Sequence, residues 1–154
     1  MRLITLNDVK LLVYRNGMIL RYSEMNRYQL IKGWSEVKGN INNVGYVRIR
    51  LNGKSYKKHR IVGYAFLGLD INNSKQQIDH IDRNKLNNNM NNLRIVSHQE
   101  NQFNKNAKGY YKNGKKFQAS IKLNKQRFHL GTFNTEEEAR NAYLEAKEKY
   151  HIIE

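Results

Sequence analysis

The chain has 154 residues, enough for one domain of ordinary size or two small ones, and 28 Lys and Arg against 13 Asp and Glu give it a formal net charge of +15. An excess this large predicts a polyanionic partner, with nucleic acid as the first candidate. The lack of Cys excludes disulfides and Cys-ligated zinc, and the lack of any apolar run near the roughly 20 residues of a membrane span favours a folded, soluble, intracellular protein.

The N-terminal third predicts two β-hairpins. Residues 9–22 are typical of two strands around Asn16-Gly17, and residues 45–56 of two strands around Asn52-Gly53, because Asn-Gly is the strongest signal for a two-residue turn. In the second hairpin apolar residues alternate with basic ones, so one face carries the basic side chains. We predict that the two arginines of this face, Arg48 and Arg50, contact DNA.

A short amphipathic helix is predicted at residues 59–67. His59, at its start, has two equally good interpretations, a phosphate contact or a structural role, whereas for Arg60 we predict a phosphate contact. The segment 78–96 is typical of a strand, an Asn-rich loop and a second strand. Residues 104–109 are polar and unpatterned, which makes them the best candidate for a linker.

The C-terminal part predicts a sheet packed on one helix. Residues 117–123 and 127–130 alternate as strands, and Thr135 with Glu138 forms a capping box that opens a helix. The apolar side chains, Phe128 among them, are expected to pack on that helix, so the polar ones face outward. Arg and Gln on such a face suit base recognition in a major groove. The predicted DNA-binding residues here are Lys115, Lys116, Gln118, Ser120, Lys122, Arg127 and His129.

Basic residues cluster in two blocks that contain no acid. Residues 37–69 and residues 108–131 each hold seven Lys or Arg and no Asp or Glu. A solvated charged surface is the alternative interpretation. Two long acid-free stretches favour two separate DNA-facing surfaces.

Residues 77–101 concentrate carboxylate, imidazole and carboxamide groups. Such a set suits metal-assisted hydrolysis of a phosphodiester, because a hard cation takes oxygen ligands and stabilises charge on the phosphate. A neutral imidazole then accepts a proton from the attacking water. The Asn residues also favour tight turns, but turns do not account for Asp79, His80 and Asn101 together.

Three elements of this segment resemble the HNH nuclease motif of phage and intron homing endonucleases. They are Asp79-His80, then Asn91-Asn92-Leu93-Arg94, then Glu100-Asn101. The helix that begins at His59-Arg60 is similar to the one that precedes the motif in that family. The resemblance spans roughly residues 44–104 and implies a strand–loop–strand–helix finger over one divalent metal ion, Mg²⁺ or Mn²⁺.

The resemblance also implies roles for individual residues. His80 matches the general base, and Asp79 and Asn101 match the metal ligands. Asn92 matches the residue that braces the loop and orients the base. Arg83 stands where many relatives have Gly.

The sequence leaves two of the metal-ligand positions open. Adjacent residues on a regular strand point to opposite faces, so Asp82 is an alternative to Asp79 as the ligand that accompanies His80. His98 lies three residues before Asn101 and would share its helix face, so it is a reserve ligand.

Residues 109–150 resemble the DNA-binding domain of the plant ethylene-response-factor (Apetala) type. The clearest part is Leu130-Gly-Thr-Phe followed by Thr135-Glu-x-x-Ala-x-x-Ala-Tyr. That domain is also known as an appendage of HNH homing endonucleases. Phe117 stands where the plant domain usually has Trp, and few of the plant base-reading arginines are present, so the resemblance implies no particular target.

These patterns together predict an α+β protein. A β-rich N-terminal region leads into a ββα-metal (HNH) nuclease core at residues 77–104 within a region 1–106, and residues 107–154 form a small three-stranded antiparallel sheet packed on one helix. The predicted function is sequence-selective, metal-dependent cleavage of double-stranded DNA by a monomer or a DNA-induced dimer. The alternatives are a non-catalytic DNA-binding regulator on a decayed nuclease core and an RNA-binding module. Abundant Asn, Lys, Ile and Tyr without Pro indicates an AT-rich genome, such as that of a phage.

Overall fold

The chain folds as two compact units, Met1–Ser97 and His98–Glu154. The computed structural model describes residues 1–24 and 33–152. Small antiparallel sheets with few helices confirm the predicted α+β class. Among the helices of the described residues, none is long and apolar enough to cross a membrane. The predicted domain boundary at residue 106 stays a prediction.

A four-stranded antiparallel meander opens the first unit. Its strands pair in chain order and are β1 (Arg2–Leu6), β2 (Val9–Val13), β3 (Ile19–Ser23) and β4 (Gly33–Glu36). The predicted Asn16-Gly17 turn joins β2 to β3, with Gly17 at a φ of +88° that L side chains rarely adopt. The inward residues Val9, Leu11 and Val13 are buried, as the alternation requires.

The second predicted hairpin is also confirmed. It belongs to a three-stranded sheet of β5 (Asn40–Ile41), β6 (Val47–Leu51) and β7 (Lys54–Lys57). Asn52 and Gly53 both have positive φ, at 42° and 83°, as a two-residue turn of this kind needs. Ile49 and Leu51 are fully buried, whereas Arg48 and Arg50 are exposed on the opposite face.

A helix and a short hairpin complete the first unit. They are α1 (Lys58–Phe66), β8 (Gln77–His80) and β9 (Leu93–Val96), with one 3-10 turn at Met90–Asn92 before β9. One buried cluster joins Ile61 and Val62 of α1 to Leu11, Ile49 and Ile78 of three different sheets. The meander therefore packs on the same core as the helix and hairpin that follow it.

The Asn-rich loop between β8 and β9 rests on the β2–β3 turn. The Met90 amide donates to the Arg15 carbonyl at 2.7 Å. A Cβ placed on Gly17 would lie 2.7 Å from the Asn88 carbonyl oxygen. The turn and the loop are therefore so close at this point that any side chain at position 17 would collide with the loop.

The second unit begins with α2 (His98–Phe103) and continues with a sheet on a helix. The sheet has β10 (Tyr110–Asn113), β11 (Lys116–Leu123) and β12 (Gln126–Phe133), and α3 (Glu136–Tyr150) follows. The predicted capping box is present, since Thr135 and Glu138 bond reciprocally at the start of α3. Ile121 packs against Tyr143, Ala146 and Leu130 between sheet and helix.

The pairing of β11 with β12 is irregular at one position. Ala119 pairs with Gly131 but Ser120 pairs with His129, so Leu130 is an extra residue on β12. Phe128 pairs with Ile121 and therefore projects to the face that carries α3. The prediction that Phe128 packs on the helix is nevertheless wrong, because the residue lies on the edge strand and is 46% exposed. Leu130 packs against the cluster of Ile121, Tyr143 and Ala146.

Candidate active site

Strand β8 ends in two buried polar residues. Asp79 is 6% exposed and His80 is 4% exposed, so both side chains are inside the first unit although they are adjacent on one strand. Arg94, the cross-strand partner of Asp79, donates from Nε at 3.0 Å and from Nη2 at 2.9 Å to the same oxygen, Oδ2. This ion pair compensates the buried carboxylate charge and fixes its orientation. The motif contained Arg94, but only the strand register reveals its partner.

Two other rings surround the imidazole of His80. The ring centroid of His59 lies 5.0 Å from that of His80 and 4.9 Å from that of Tyr46, and Tyr46 lies 6.0 Å from His80. His59 is 4% exposed, and burial, helped by His80, Lys57 and Arg60, lowers its pKa to about 3. His59 is therefore a neutral, buried residue that packs on His80, which favours the structural interpretation.

The surroundings of His80 keep its imidazole neutral. Burial lowers the pKa of His80, and this exceeds the opposing effects of the Asn88 side chain and of the Asp82 and Asp79 charges. Asn88 is itself buried, and its Nδ2 donates to the Leu86 carbonyl at 2.9 Å. From the sequence, Asn88 was interpreted as one of several turn residues. A run of asparagines gives no signal that one particular member lies against the imidazole of His80.

Asn92 and Asp82 organise the loop between β8 and β9. Asn92 Nδ2 donates to Asp82 Oδ1 at 2.8 Å and to the Asn87 carbonyl at 2.9 Å, and Asn92 Oδ1 accepts from the Asp82 amide at 3.0 Å. Asn87 Nδ2 and the Asn84 amide also donate to Asp82, and these bonds, first that of Asn87, lower the Asp82 pKa. The Asp82 carboxylate thus serves the loop, which favours Asp79 as the candidate ligand.

Arg83, in the same loop, has a φ of +63°. This is the left-handed region that favours glycine. Arg83 therefore adopts a backbone conformation that glycine takes at lower cost.

The structure uses Arg60 differently from the predicted phosphate contact. Its guanidinium donates to four backbone carbonyls between α1 and β8, those of Gln76 at 2.8 Å, Asp70 at 3.3 Å, Ile71 at 3.2 Å and Asn73 at 3.2 Å. These bonds direct the donors into the protein. In the structure Arg60 therefore holds the segment that leads into β8, and its contact with phosphate stays a prediction.

The second unit presents the predicted outward face as one surface. Ser120 pairs with His129 and Lys122 with Arg127, and cross-strand partners project to the same side of a sheet. Gln118 lies on that side too, opposite the face of Ile121, which packs on α3. Lys115, Lys116, Lys122, Arg127 and His129 are exposed, and Gln118 and Ser120 are partly exposed.

The candidate ligands Asn101 and His98 both lie on α2.

Within the described residues, no group of three or more His, Cys, Asp or Glu side chains is gathered to hold a metal ion. Such a set would be required for a closed site built from protein ligands alone. Mg²⁺ is usually held by one or two carboxylates together with substrate phosphates and water. The buried carboxylate of Asp79 fits that second kind of site.

Comparison with known proteins identifies the segment that contains these residues. Residues 56–103 match the HNH endonuclease family model. This HNH segment includes α1, β8, β9 and α2, so it holds Asp79, His80, Asn92 and Asn101. The predicted resemblance to HNH endonucleases is confirmed, and the resemblance of residues 109–150 to the plant domain stays a prediction.

Two individual proteins are similar to the chain. An uncharacterized HNH endonuclease, L560 of Acanthamoeba polyphaga mimivirus, is 38% identical over 71 residues, which are 43% of this chain and 38% of the viral protein. The chain therefore spans well under half the length of that relative. Among solved structures, the chain is similar to one of DNA binding and cleavage by the HNH homing endonuclease I-HmuI. The two chains are 27% identical, the match covers 68% of this chain and 57% of the I-HmuI chain, and the TM-score is 0.48.

Proposed function

We propose that the protein is a divalent-metal-dependent endonuclease of the homing type that hydrolyses phosphodiester bonds at selected sites in double-stranded DNA. One observation carries this proposal. The HNH segment contains the buried His80, whose pKa is lowered by burial, and, next to it in the chain, the buried carboxylate of Asp79, which Arg94 binds. A neutral base next to an oriented oxygen ligand is the arrangement that metal-assisted hydrolysis requires.

His80 acts as the general base in this proposal. Its imidazole takes the proton of the water whose oxygen attacks phosphorus, as the bond from phosphorus to the leaving oxygen breaks. The rings of His59 and Tyr46 limit the movement of the imidazole, and Asn88 contributes a polar contact. A base held in this way needs little reorganisation when it accepts the proton.

Asp79 and Asn101 are the proposed ligands of one Mg²⁺ or Mn²⁺ ion. Both supply oxygen, which these hard cations prefer, and Arg94 orients the carboxylate of Asp79. When bound, the ion would stabilise negative charge on the phosphate and on the leaving oxygen. Asn92 acts indirectly in this scheme, because its hydrogen bonds brace the loop that follows His80.

The exposed face of the second unit is proposed to add DNA affinity and site choice. Lys122 and Arg127 contribute salt-sensitive phosphate attraction, and Gln118 is a candidate for base contacts. Arg48 and Arg50 of the first unit, which are exposed on β6, are proposed to contact the same duplex.

Incubation with supercoiled plasmid tests the proposal. We expect nicking or linearisation with Mg²⁺ or Mn²⁺ and none with a chelator. His80→Ala is expected to abolish cleavage while binding to duplex DNA in chelator stays close to that of the parent. A parent protein that binds DNA but never cuts it would instead be a DNA-binding regulator, and equal loss of binding and cleavage in His80→Ala would remove the catalytic role of that residue.

A further inference from the structure

Two lysine amines are held on the ring of Tyr46. Lys57 Nζ, from β7, lies 4.6 Å from the ring centroid, and Lys85 Nζ, from the Asn-rich loop, lies 5.0 Å from it. These are cation–π distances. Lys85 Nζ also donates to the Val44 carbonyl at 2.9 Å, so its position is fixed by a second contact. Two residues far apart in sequence thus bring their charges to one ring.

None of the ion pairs seen among the described residues neutralises the positive charge at this place. Partial desolvation and then the nearby charges of Arg60, Arg48 and Lys85 lower the pKa of Lys57, so three cations act on this lysine. The ion pairs in question, Arg94 with Asp79 and Lys108 with Glu136, involve none of these four cations. Like charges kept together without an ion-pair partner attract an anion.

The lysine pair borders the candidate general base. The Tyr46 ring that carries both amines has its centroid 6.0 Å from that of His80. The charge of Lys85 acts on His80, and the charge of Asp79 acts on Tyr46, so each charge lies within electrostatic range of the ring on which it acts. An anion held by the two amines would therefore lie beside His80 and Asp79.

We propose that Lys57 and Lys85, positioned by the Tyr46 ring, bind the DNA phosphodiester that lies against His80. This inference rests on the proposed endonuclease function and adds the residues that hold its substrate. The lysines attract the phosphate before reaction and stabilise its additional charge as water attacks. This role also gives a reason for the position of Lys85, whose amine lies with that of Lys57 on the Tyr46 ring.

A charge-matched pair of variants tests the inference. The test variant is Lys57→Gln/Lys85→Gln, and the control is Lys10→Gln/Lys75→Gln. The control removes the same charge from the same unit, and its two lysines are exposed and lie outside both acid-free blocks. Unfolding midpoints followed by the fluorescence of Trp34, the single Trp of the chain, show whether both variants fold.

Three measurements follow. In single-turnover cleavage at saturating duplex, we expect the test variant to be slower than the parent by on the order of 10²-fold, and the control to match the parent. In chelator, the slope of log affinity against log salt is expected to fall by about one for the test variant, as loss of one phosphate contact predicts. In the unmodified protein, duplex DNA is expected to protect Lys57 and Lys85 from acylation more than Lys10 and Lys75.

The outcomes separate this inference from the proposed function. Equal protection of all four lysines, or a test variant with the cleavage rate and salt slope of the control, would overturn the phosphate site. If the parent cuts no DNA with either metal, the endonuclease proposal fails, and the protection pattern and salt slope in chelator still decide whether the lysines bind a backbone phosphate.

Discussion

A general base works only if its ring is held in a fixed orientation, and Asn88 is placed to contribute to this. It is buried beside His80, whereas Asn91 of the same loop is exposed. We expect Asn88→Ala to slow single-turnover cleavage by roughly 10- to 100-fold, as for other residues that orient a reacting group, with DNA affinity in chelator unchanged. Asn91→Ala is the control and should cleave at the parent rate. Equal rates for the two variants would contradict the orienting role of Asn88.

His59 makes the stability of the first unit depend on pH. The groups that face it are Tyr46, His80, Lys57 and Arg60, and its pKa is near 3 in the folded chain. An unfolded His has a pKa of about 6.5, so below that pH the unfolded chain binds a proton that the folded chain does not. The contribution to stability is full above about pH 6.5 and decreases as the pH falls. At pH 5 the expected loss is about 2 kcal/mol.

Urea unfolding followed by Trp34 fluorescence at pH 7 and pH 5 measures this loss. His80, whose pKa burial also lowers, adds a loss of the same sign, so the comparison with His59→Gln isolates His59. The variant should show a pH dependence that is smaller by about 2 kcal/mol. An unchanged pH dependence would mean that His59 is already protonated in the folded chain or exposed.

At the residue scale, the sequence predicted candidate reacting groups but not the side chains that contact them. Asp79 and His80 were proposed because carboxylate and imidazole side by side before an Asn-rich loop have few structural explanations. The sequence did not predict the contacts of three further residues with the site, because each contact depends on pairing or packing between segments far apart in sequence. These residues are Arg94, Asn88 and His59. Arg60 is the opposite case. It lies in a basic block and was predicted to contact phosphate, but its guanidinium donates to backbone carbonyls of its own chain.

Among the elements, the β2–β3 hairpin and the loop after β8 act together because Gly17 contacts Asn88. Gly17→Ala combines a φ of +88° with a Cβ 2.7 Å from the Asn88 carbonyl oxygen. Gly53→Ala is the matched control, with a φ of +83° and open space around its Cβ. The control should cost about 1 kcal/mol of unfolding free energy from backbone strain alone. Gly17→Ala should cost more and also slow cleavage, because the loop must move.

Unfolding midpoints and single-turnover rates for the two glycine variants test this coupling. Equal destabilisation with unchanged cleavage in both would mean that the loop tolerates displacement of Asn88. The hairpins themselves were predictable, because Asn-Gly turns and alternation are local signals. The extra residue at Leu130 was not, because strand register depends on the partner strand and not on the strand alone.

Over the whole molecule, charge is expected to separate DNA affinity from chemistry. Lys122→Gln/Arg127→Gln removes two cations from the exposed face of the second unit, far along the chain from His80. We expect weaker DNA binding with a smaller salt slope, and an unchanged single-turnover rate at saturating DNA. The control Lys105→Gln/Lys149→Gln removes equal charge from the same unit at exposed positions outside the acid-free block. Identical affinities for the two variants would argue against a DNA-binding role for this face.

The whole-molecule organisation was predictable only in outline. The two acid-free blocks at 37–69 and 108–131 indicated two basic surfaces, and both carry exposed cations in the structure. Composition does not show which of those cations face a reacting group. Lys85 lies outside both blocks, and its proximity to Lys57 depends on the fold that brings the loop to Tyr46.

The hydrogen bond from the Met90 amide to the Arg15 carbonyl has a consequence for engineering. Hairpin tips are normally where a protein accepts inserted peptides, affinity tags or new chain ends. The tip at residues 15–17 supports the loop of the candidate site, so an insertion there would be expected to disable the protein even though the meander's strands remain paired.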